Sequence, residues 1–224
     1  MKRGWKIAVV ALGVIIFIPV FFISSVQAGI FGRLPGKKEL SSFRNATASV
    51  VLSHEGETIG RFFSENRITI PFDQMPPHLI NALVATEDAR FYEHSGVDSR
   101  SLIRVVFKTI LFSDRSAGGG STITQQLAKN MYGRKDYRVF SVILNKTREV
   151  ILAKRIEKVF TKDEILNLYL NTVSFGENIY GIEAASQRYF SKKAADLKVE
   201  EAALLTGMLK ANTMFNPRLY PQNA

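Results

Sequence analysis

One helical stretch places a carboxylic acid among apolar side chains, and this feature constrains the fold most strongly. Between His78 and Gly96, one helix face carries Ile80, Leu83, Val84, Glu87 and Phe91. The spacing predicts a single helix over 78–96, with Asp88 beside Glu87 and His94 further along the same face. A buried ionised carboxylate is costly, so Glu87 must be paired, neutral or facing a cleft. In a cleft it could act as a general acid or base. The alternative is a surface glutamate and a helical register wrong by one position.

A second predicted helix, over 139–160, repeats the pattern. The residues on its apolar face are Glu149, Leu152, Ala153, Ile156 and Phe160. Lys146 lies about one turn before the acid. Two carboxylates held by helices are typical of enzymes that make or break glycosidic bonds.

Between these helices, a loop over 113–120 ends in three glycines, and a helix is predicted from Ser121 to about Met131. A hydroxyl residue at a helix start is usually an N-cap. The alternative is an anion site, because glycines allow close approach to free backbone N–H groups. No Gly-Lys-Ser/Thr sequence is present, which excludes a nucleotide phosphate loop. A basic run follows, and we interpret it as a diphosphate contact rather than only a solvated face: Lys129, Arg134, Lys135 and Arg138.

Composition narrows the choice of partner. The chain has 224 residues, no cysteine and a net charge of +10. Its length fits one catalytic domain with a small appendage. The charge favours an anionic partner. Because no nucleic-acid-binding module is recognisable, we expect no nucleic acid and instead a lipid surface or a phosphorylated substrate.

The amino-terminal part predicts a membrane anchor. Residues 1–6 are basic and form a predicted cytoplasmic tail, and the uncharged run 7–26 is long enough to span a bilayer as a helix. A signal peptide cleaved near Ala28 is the alternative. A linker over 27–46 is expected to follow.

Beyond the linker, a segment over 47–72 contains a predicted β-hairpin, with strands at 49–53 and 58–63. The catalytic domain is expected over 73–224. Its remaining predicted helices are 97–112 with an Asp98 or Ser99 cap, 163–171 capped by Thr161 and Glu164, 182–190, and 199–210. The far end of helix 97–112 is apolar except for Lys108, which suits either the core or the outer bilayer leaflet.

Four motifs in series resemble a known family. They are Glu87, Asp88, Phe91, His94 and Gly96; then Gly119 to Gln126 with Lys129 and Asn130; then Lys146 and Glu149; then Lys162 to Asn171. In order and spacing they resemble the peptidoglycan glycosyltransferase domain, family 51, of class A penicillin-binding proteins and monofunctional transglycosylases. The resemblance covers about 49–216. It implies a mainly α, lysozyme-like domain with a membrane-apposed second lobe.

The resemblance also implies a reaction. Family members polymerise lipid II into glycan strands, with inversion at MurNAc C1 and release of undecaprenyl pyrophosphate. By similarity, Glu87 is the general base and Glu149 the second catalytic acid. The residues expected to bind substrate are Asp88, His94, Ser121, Thr124, Gln125, Gln126, Lys129, Lys146 and Arg148. Family members often use a divalent cation, Mg2+ or Mn2+, at the pyrophosphate, but the sequence gives no ligand set.

Two departures from the family pattern concern cations. Asn145 stands where the third motif commonly has arginine, and Ser141 lies near the position of another. Arg148 or Arg138 could take over the lost contact to the donor. The family usually continues into an Arg-Arg helix, and neither Ser-x-x-Lys nor Lys-Thr-Gly of a transpeptidase occurs, so we expect a piece of a longer bifunctional protein.

The expected location is the bacterial inner membrane, crossed once, with the catalytic domain on the extracytoplasmic side. Expected partners are lipid II, the growing glycan strand, the lipid bilayer and proteins of cell-wall synthesis. Two other functions stay open. One is a lysozyme-like lytic enzyme that uses the same Glu as an acid, although its neutral glycan would not need the basic run. The other is a non-catalytic anchored scaffold of the wall-building complex.

Overall fold

The computed structural model describes residues 13, 17–43, 49–56, 58–62, 66–104 and 119–223. This part of the chain is mainly helical, as predicted. Its helices are α1 (17–27), α2 (Lys37–Ser41), α3 (Pro77–Glu87), α4 (99–104), α5 (Ile123–Tyr132), α6 (Ser141–Ile156), α7 (Lys162–Thr172), α8 (Ile182–Phe190) and α9 (Val199–Met208). Its strands are β1 (Ser49–Leu52), β2 (Thr58–Phe62), β3 (Asn66–Arg67) and β4 (Ile179–Tyr180). Single 3-10 turns lie at Phe72–Gln74, Phe91–Glu93, Arg138–Phe140, Ala194–Asp196 and Pro221–Asn223.

The strands form two separate pairs. β1 and β2 are antiparallel, with Ser49 opposite Phe62, which confirms the predicted hairpin. Gly56 in the connecting turn has φ +84°, a left-handed conformation that glycine adopts without strain. β3 and β4 are parallel and far apart in sequence, and their pairing was not predicted.

Helix α3 ends earlier than the sequence predicts. Pro77 occupies its first turn, where a missing N–H costs nothing. The helix stops at Glu87, because Asp88 leaves the helical region with φ −160° and ψ 72°. The prediction of one helix to Gly96 is therefore wrong, and Phe91 is buried from a separate 3-10 turn. Glu87 thus stands at the carboxyl end of α3, a position open to a cleft.

The core forms around α5. This helix packs against both α6 and α7, while α3 packs against α9. The α5 side chains of Ile123 and Leu127 are fully buried. Burying each such side chain contributes about 1.5–3 kcal/mol. The first turn of α5 is therefore fixed between α3, α6 and α7.

The other helices mostly match their predicted positions. Asp98 caps α4 by accepting the Ser101 N–H at 3.1 Å. The capping box of α7 is confirmed, since Glu164 Oε2 accepts the Thr161 N–H at 2.7 Å. Four of these helices have boundaries that differ by two residues or more. Helix α4 begins at 99 instead of 97, and α5 begins at Ile123 instead of Ser121. Helix α6 spans 141–156 instead of 139–160, and α9 ends at Met208 instead of Lys210.

Some predictions concern residues outside the described part of the chain. They are the tail 1–6, residues 7–12 and 14–16 of the anchor 7–26, the apolar end of helix 97–112 with Lys108, and the first part of the glycine loop. The described residues 17–26 of the anchor are helical. Within the described ranges, no helix combines the length and apolar character needed to cross a membrane.

The stretch predicted as a linker, 27–46, contacts the helical domain. The Arg148 guanidinium donates to the Gly32 carbonyl at 2.7 Å, and the Arg155 guanidinium donates to the Pro35 carbonyl at 2.9 Å. These arginines are seven residues apart and lie on the same face of α6. Two leucines of the stretch, which also contains α2, are buried: Leu34 and Leu40. We call residues 28–36, held in this way, the clamped segment.

A buried asparagine joins the start of the domain to α7. Asn171 Oδ1 accepts the Ile70 N–H at 3.0 Å, and its Nδ2 donates to the Ile70 carbonyl at 2.9 Å. Asn171 is almost fully buried. Water therefore cannot replace these bonds if the side chain is removed.

We predict that Asn171→Ala lowers the free energy of unfolding by about 2–4 kcal/mol, because two buried backbone groups at Ile70 lose their partner. Urea denaturation followed by circular dichroism measures the change. Asn130→Ala is the control, since its partly exposed amide bonds to no other described residue; it should cost less than about 0.5 kcal/mol. Equal effects of both substitutions would contradict the role of the Ile70 bonds.

Candidate active site

A cleft of about 660 Å3 lies where the carboxyl end of α3, the α4 turn, the start of α5 and the end of α9 meet. Its charged lining residues are three acids and four cations: Glu87, Asp88, Asp98, Arg90, Arg104, Lys129 and Lys210. Arg104, Lys129 and Lys210 have no ion-pair partner within the described part of the chain. A cleft with surplus positive charge favours an anionic ligand.

Arg90 is the exception among these cations, because it is neutralised. Its Nη2 lies 2.6 Å from Asp98 Oδ2 and it also donates to the Ser101 hydroxyl. Burial acts to raise the pKa of Asp98, but the bonds from Ser101 and Arg90 together hold the pKa well below its usual value. The pair therefore stays charged at neutral pH and forms part of the wall.

Two side chains below the cleft orient the carboxylate of Glu87. Gln126 Nε2 donates to Glu87 Oε2 at 2.6 Å, and the Tyr169 hydroxyl donates to Gln126 Oε1 at 2.9 Å. Burial, and then the Glu87 charge, raise the pKa of Tyr169, so its hydroxyl keeps its proton and remains a donor. Glu87 Oε1 has no hydrogen-bond partner among the described residues. One oxygen is thus fixed while the other can accept a proton.

Asp88 and His94 form a buried anchor beneath this site. Asp88 Oδ2 accepts from His94 Nε2 at 3.0 Å and from the Ile123 N–H at 3.1 Å. Thr122 strengthens the junction by donating to the Gly96 carbonyl at 2.7 Å. Asp88 and His94, which were predicted to bind substrate, hold the start of α5 against the end of α3, and Asp88 also lines the cleft. This anchor is what brings Gln126 to Glu87.

Gly96 shows how closely the anchor packs. It adopts φ +86°, and a Cβ atom there would lie 2.9 Å from the Ala153 carbonyl carbon of α6. A larger residue would therefore have to push α6 away.

The second predicted carboxylate, Glu149, is buried and paired with two cations. Its Oε1 lies 2.8 Å from Arg134 Nε, and its Oε2 lies 3.4 Å from Lys146 Nζ. Lys146 Nζ also donates to Ser121 Oγ at 2.6 Å and to Gln125 Oε1 at 3.0 Å. Because Ser121 lines the cleft, Lys146 joins Glu149 to the cleft wall.

The first turn of α5 is divided between two roles. Ser121 and Gln125 contact Lys146, and Gln126 contacts Glu87, as a shared site requires. Thr124, which was also predicted to bind substrate, donates to Glu157 at 2.6 Å instead of to these groups. The backbone N–H groups predicted to meet an anion are partly used, since Ile123 donates to Asp88 and Gln125 to the Thr122 cap. Positive charge in the cleft therefore comes mainly from side chains.

Arg148 donates to the carbonyls of Phe31 and Gly32 and so holds the clamped segment. Arg138, the other proposed replacement cation, is exposed, and its side chain contacts no other described residue through hydrogen bonds. The cation that pairs with Glu149 is Arg134, which the sequence showed only as part of a basic run. Arg104 and Lys210, which also line the cleft, were missed because they lie far from the motifs in sequence.

Asp88, the acid next to the candidate base, does not fit a role as a metal ligand, because protein donors already occupy its carboxylate. In the described ranges, no cluster of three or more acidic or histidine side chains is arranged to hold a metal ion.

The mainly helical fold and a cleft carboxylate facing surplus cations define a candidate glycosyl-transfer site. Comparison with known proteins agrees: the profile of the transglycosylase family matches residues 55–224. The chain belongs to this family, glycosyltransferase family 51, which confirms the resemblance carried by its four motifs. Family membership places it among enzymes that transfer glycosyl groups.

Individual relatives show the same similarity. Penicillin-binding protein 1F of Bacillus subtilis (strain 168) is 41% identical over 174 residues, which are 78% of this chain and 24% of the relative. Penicillin-binding protein 1A of Escherichia coli (strain K12) is 42% identical over 185 residues, 83% of this chain and 21% of the relative. Penicillin-binding protein 1A of Aquifex aeolicus (strain VF5) is 39% identical over 195 residues, which are 87% of this chain and 26% of the relative. The chain therefore spans about a quarter of the length of these relatives.

Lys146 gives the site a testable pH dependence. Burial lowers its pKa most, Glu149 acts in the opposite direction, and Arg134 and Lys129 lower the pKa further, leaving it below the usual lysine value. Only protonated Lys146 attracts an anion. Glycosyl transfer should therefore decline on the alkaline side at a lower pH than an ordinary lysine would cause.

A pH–rate profile measures this decline. Lys146→Arg should move it to higher pH, because the guanidinium stays charged. An unchanged alkaline limb in this variant would show that Lys146 does not control it.

Proposed function

We propose that this chain is a peptidoglycan glycosyltransferase domain that polymerises lipid II into glycan strands. The observation that carries the proposal is the Glu87 carboxylate, which Gln126 and Tyr169 orient in a cleft whose lining includes cations without an ion-pair partner among the described residues. Family membership supports the same reaction class. The lipid substrate and the roles of individual residues are inferred from the chemistry of the cleft and from the motif resemblance.

In the proposed step, Glu87 takes the proton from the 4-hydroxyl of the acceptor GlcNAc. The hydroxyl oxygen attacks C1 of the donor MurNAc from the face opposite the leaving group. The C1–O bond to the diphosphate breaks, the configuration at C1 inverts, and undecaprenyl pyrophosphate leaves with the bonding electrons. The free Glu87 oxygen, Oε1, is the candidate proton acceptor.

The leaving diphosphate gains negative charge as the C1–O bond breaks. Lys129 of α5 lines the cleft, and Ser121 links Lys146 to the cleft wall. Fixed positive groups at the place where charge develops lower the barrier without further reorganisation. Glu149 is buried between Lys146 and Arg134, so we assign it to positioning these cations rather than to proton transfer.

A membrane setting follows from the proposed substrate. A polyprenyl chain remains in the bilayer, and an anchor over 7–26 would keep the enzyme at that surface. We therefore place the protein in the bacterial inner membrane with the domain outside, where the growing glycan and other wall-synthesis proteins would be its partners. A divalent cation bound mainly by the substrate diphosphate is compatible with the site.

The lytic alternative has less support. Its substrate is a neutral glycan backbone, which gives Arg104, Lys129 and Lys210 no ligand. A scaffold without catalysis would not require the oriented Glu87 carboxylate. Incubation with purified sacculi tests the first alternative, since released muropeptides would support lysis.

Glu87→Gln should lower the rate of glycan formation by a factor of about 100 to 10,000, because an amide cannot accept the acceptor proton. Labelled lipid II and gel separation of the glycan products measure the rate. Glu93→Gln is the matched control: this nearby glutamate is exposed and bonds through its side chain to no other described residue. It should retain the parent rate. A Glu87→Gln variant as active as this control would refute Glu87 as the base.

A further inference from the structure

The loop between α5 and α6 is held by one buried side chain. Asn145 Oδ1 accepts the Lys135 N–H at 3.0 Å, and Asn145 Nδ2 donates to the Lys135 carbonyl at 2.7 Å. Ser141 Oγ also donates to the Lys135 carbonyl, at 3.1 Å. Asn145 is only 4% exposed, so water does not compete for these bonds. The backbone next to Arg134 is therefore fixed.

Arg134 itself is only partly used by the protein. Its Nε donates to Glu149 Oε1 at 2.8 Å, and its side chain is 58% exposed, whereas that of Glu149 is 7% exposed. Its two terminal nitrogens, Nη1 and Nη2, have no hydrogen-bond partner among the described residues. A guanidinium held at one edge presents its remaining N–H groups as a planar fork, which suits phosphate oxygens.

The local charges do not balance without a ligand. Glu149 is the one acid in contact with Lys146 and Arg134 in the described ranges. Burial lowers the pKa of Lys146 most, and the charges of Arg134 and Lys129 lower it further, so these cations lie within electrostatic reach of one another. Arg134 and Lys146 contact one carboxylate and Lys129 lies within electrostatic reach of Lys146, so this group carries a surplus of about two positive charges, which a diphosphate would neutralise.

We propose that Arg134 is a further cationic contact for the diphosphate of the lipid-linked donor, and that Asn145 is its positioning residue. The assignment rests on the proposed function. Asn145 and Ser141 stand where the motif pattern places arginines, and both now bind the backbone of the loop that carries Arg134. Arg134, in the loop before α6, thus supplies a positive charge in place of the arginines that the motif pattern places on α6. Glu149 sets the direction of this guanidinium as well as that of Lys146.

Binding of inorganic pyrophosphate to the full chain, measured by titration calorimetry at fixed ionic strength, tests the assignment. Arg134→Ala should weaken binding roughly tenfold, since it removes charge-assisted bonds to phosphate. Arg134→Lys should recover part of the loss. Lys154→Ala removes an exposed charge from α6 at a distance from the cleft and should bind like the parent.

Asn145→Ala should weaken pyrophosphate binding several-fold, and the double variant with Arg134→Ala should be no weaker than Arg134→Ala alone. This non-additivity separates a positioning role from a general loss of stability. Arg134 is exposed, so its variants keep the assignment testable even if Asn145→Ala fails to fold. The assignment is overturned if Arg134→Ala binds as tightly as Lys154→Ala, if the losses at positions 134 and 145 add, or if the parent binds no pyrophosphate.

A parallel polymerisation assay with lipid II separates the two levels of inference. A parent chain that binds pyrophosphate through Arg134 but forms no glycan would refute the proposed function and leave the binding assignment standing. A parent chain that forms glycan, with an Arg134→Ala variant of unchanged KM and kcat, would refute only the role of Arg134. The expected result is glycan formation by the parent and a raised KM for lipid II in Arg134→Ala.

Discussion

The site depends on one buried carboxylate that joins two helices. Asp88 ends α3 and accepts hydrogen bonds from the Ile123 N–H and from His94, so it joins the end of one helix to the beginning of another. A carboxylate at a helix start also interacts favourably with the helix dipole. Through this junction Gln126 reaches Glu87. The position of the candidate base is thus set by a bond made across the core.

The two acids on helix faces have opposite environments, and this separates their roles. Glu87 accepts from one neutral amide and keeps a free oxygen, which suits proton transfer. Glu149 is enclosed by Arg134 and Lys146 and cannot easily give up either contact. A buried charge left without its partner is costly, so Glu149 holds both cations in place. The cleft therefore combines one available acid with several cations.

Local patterns predicted the parts of this arrangement that depend on near neighbours. Helical periodicity identified both unusual acids, and the Thr161 capping box marked the start of α7. Contacts distant in sequence decided the rest. The end of α3 is set by the hydrogen bond that the Ile123 N–H donates to Asp88. Because periodicity does not include this contact, the predicted helix was too long. Arg148 was expected at the substrate, but the carbonyls of the clamped segment occupy it, and no sequence spacing distinguishes it from Arg134.

The clamped segment has a mechanical consequence. Arg148 and Arg155 fasten its carbonyls to the same helix that carries Lys146 and Glu149. A displacement of the chain just after α1 would therefore move α6 as well, because these hydrogen bonds connect the two. Arg148 lies two residues after Lys146 on α6, so the attachment is next to the cation that contacts the cleft wall. Tension on the amino-terminal side would alter the spacing of charges on which an anionic ligand depends.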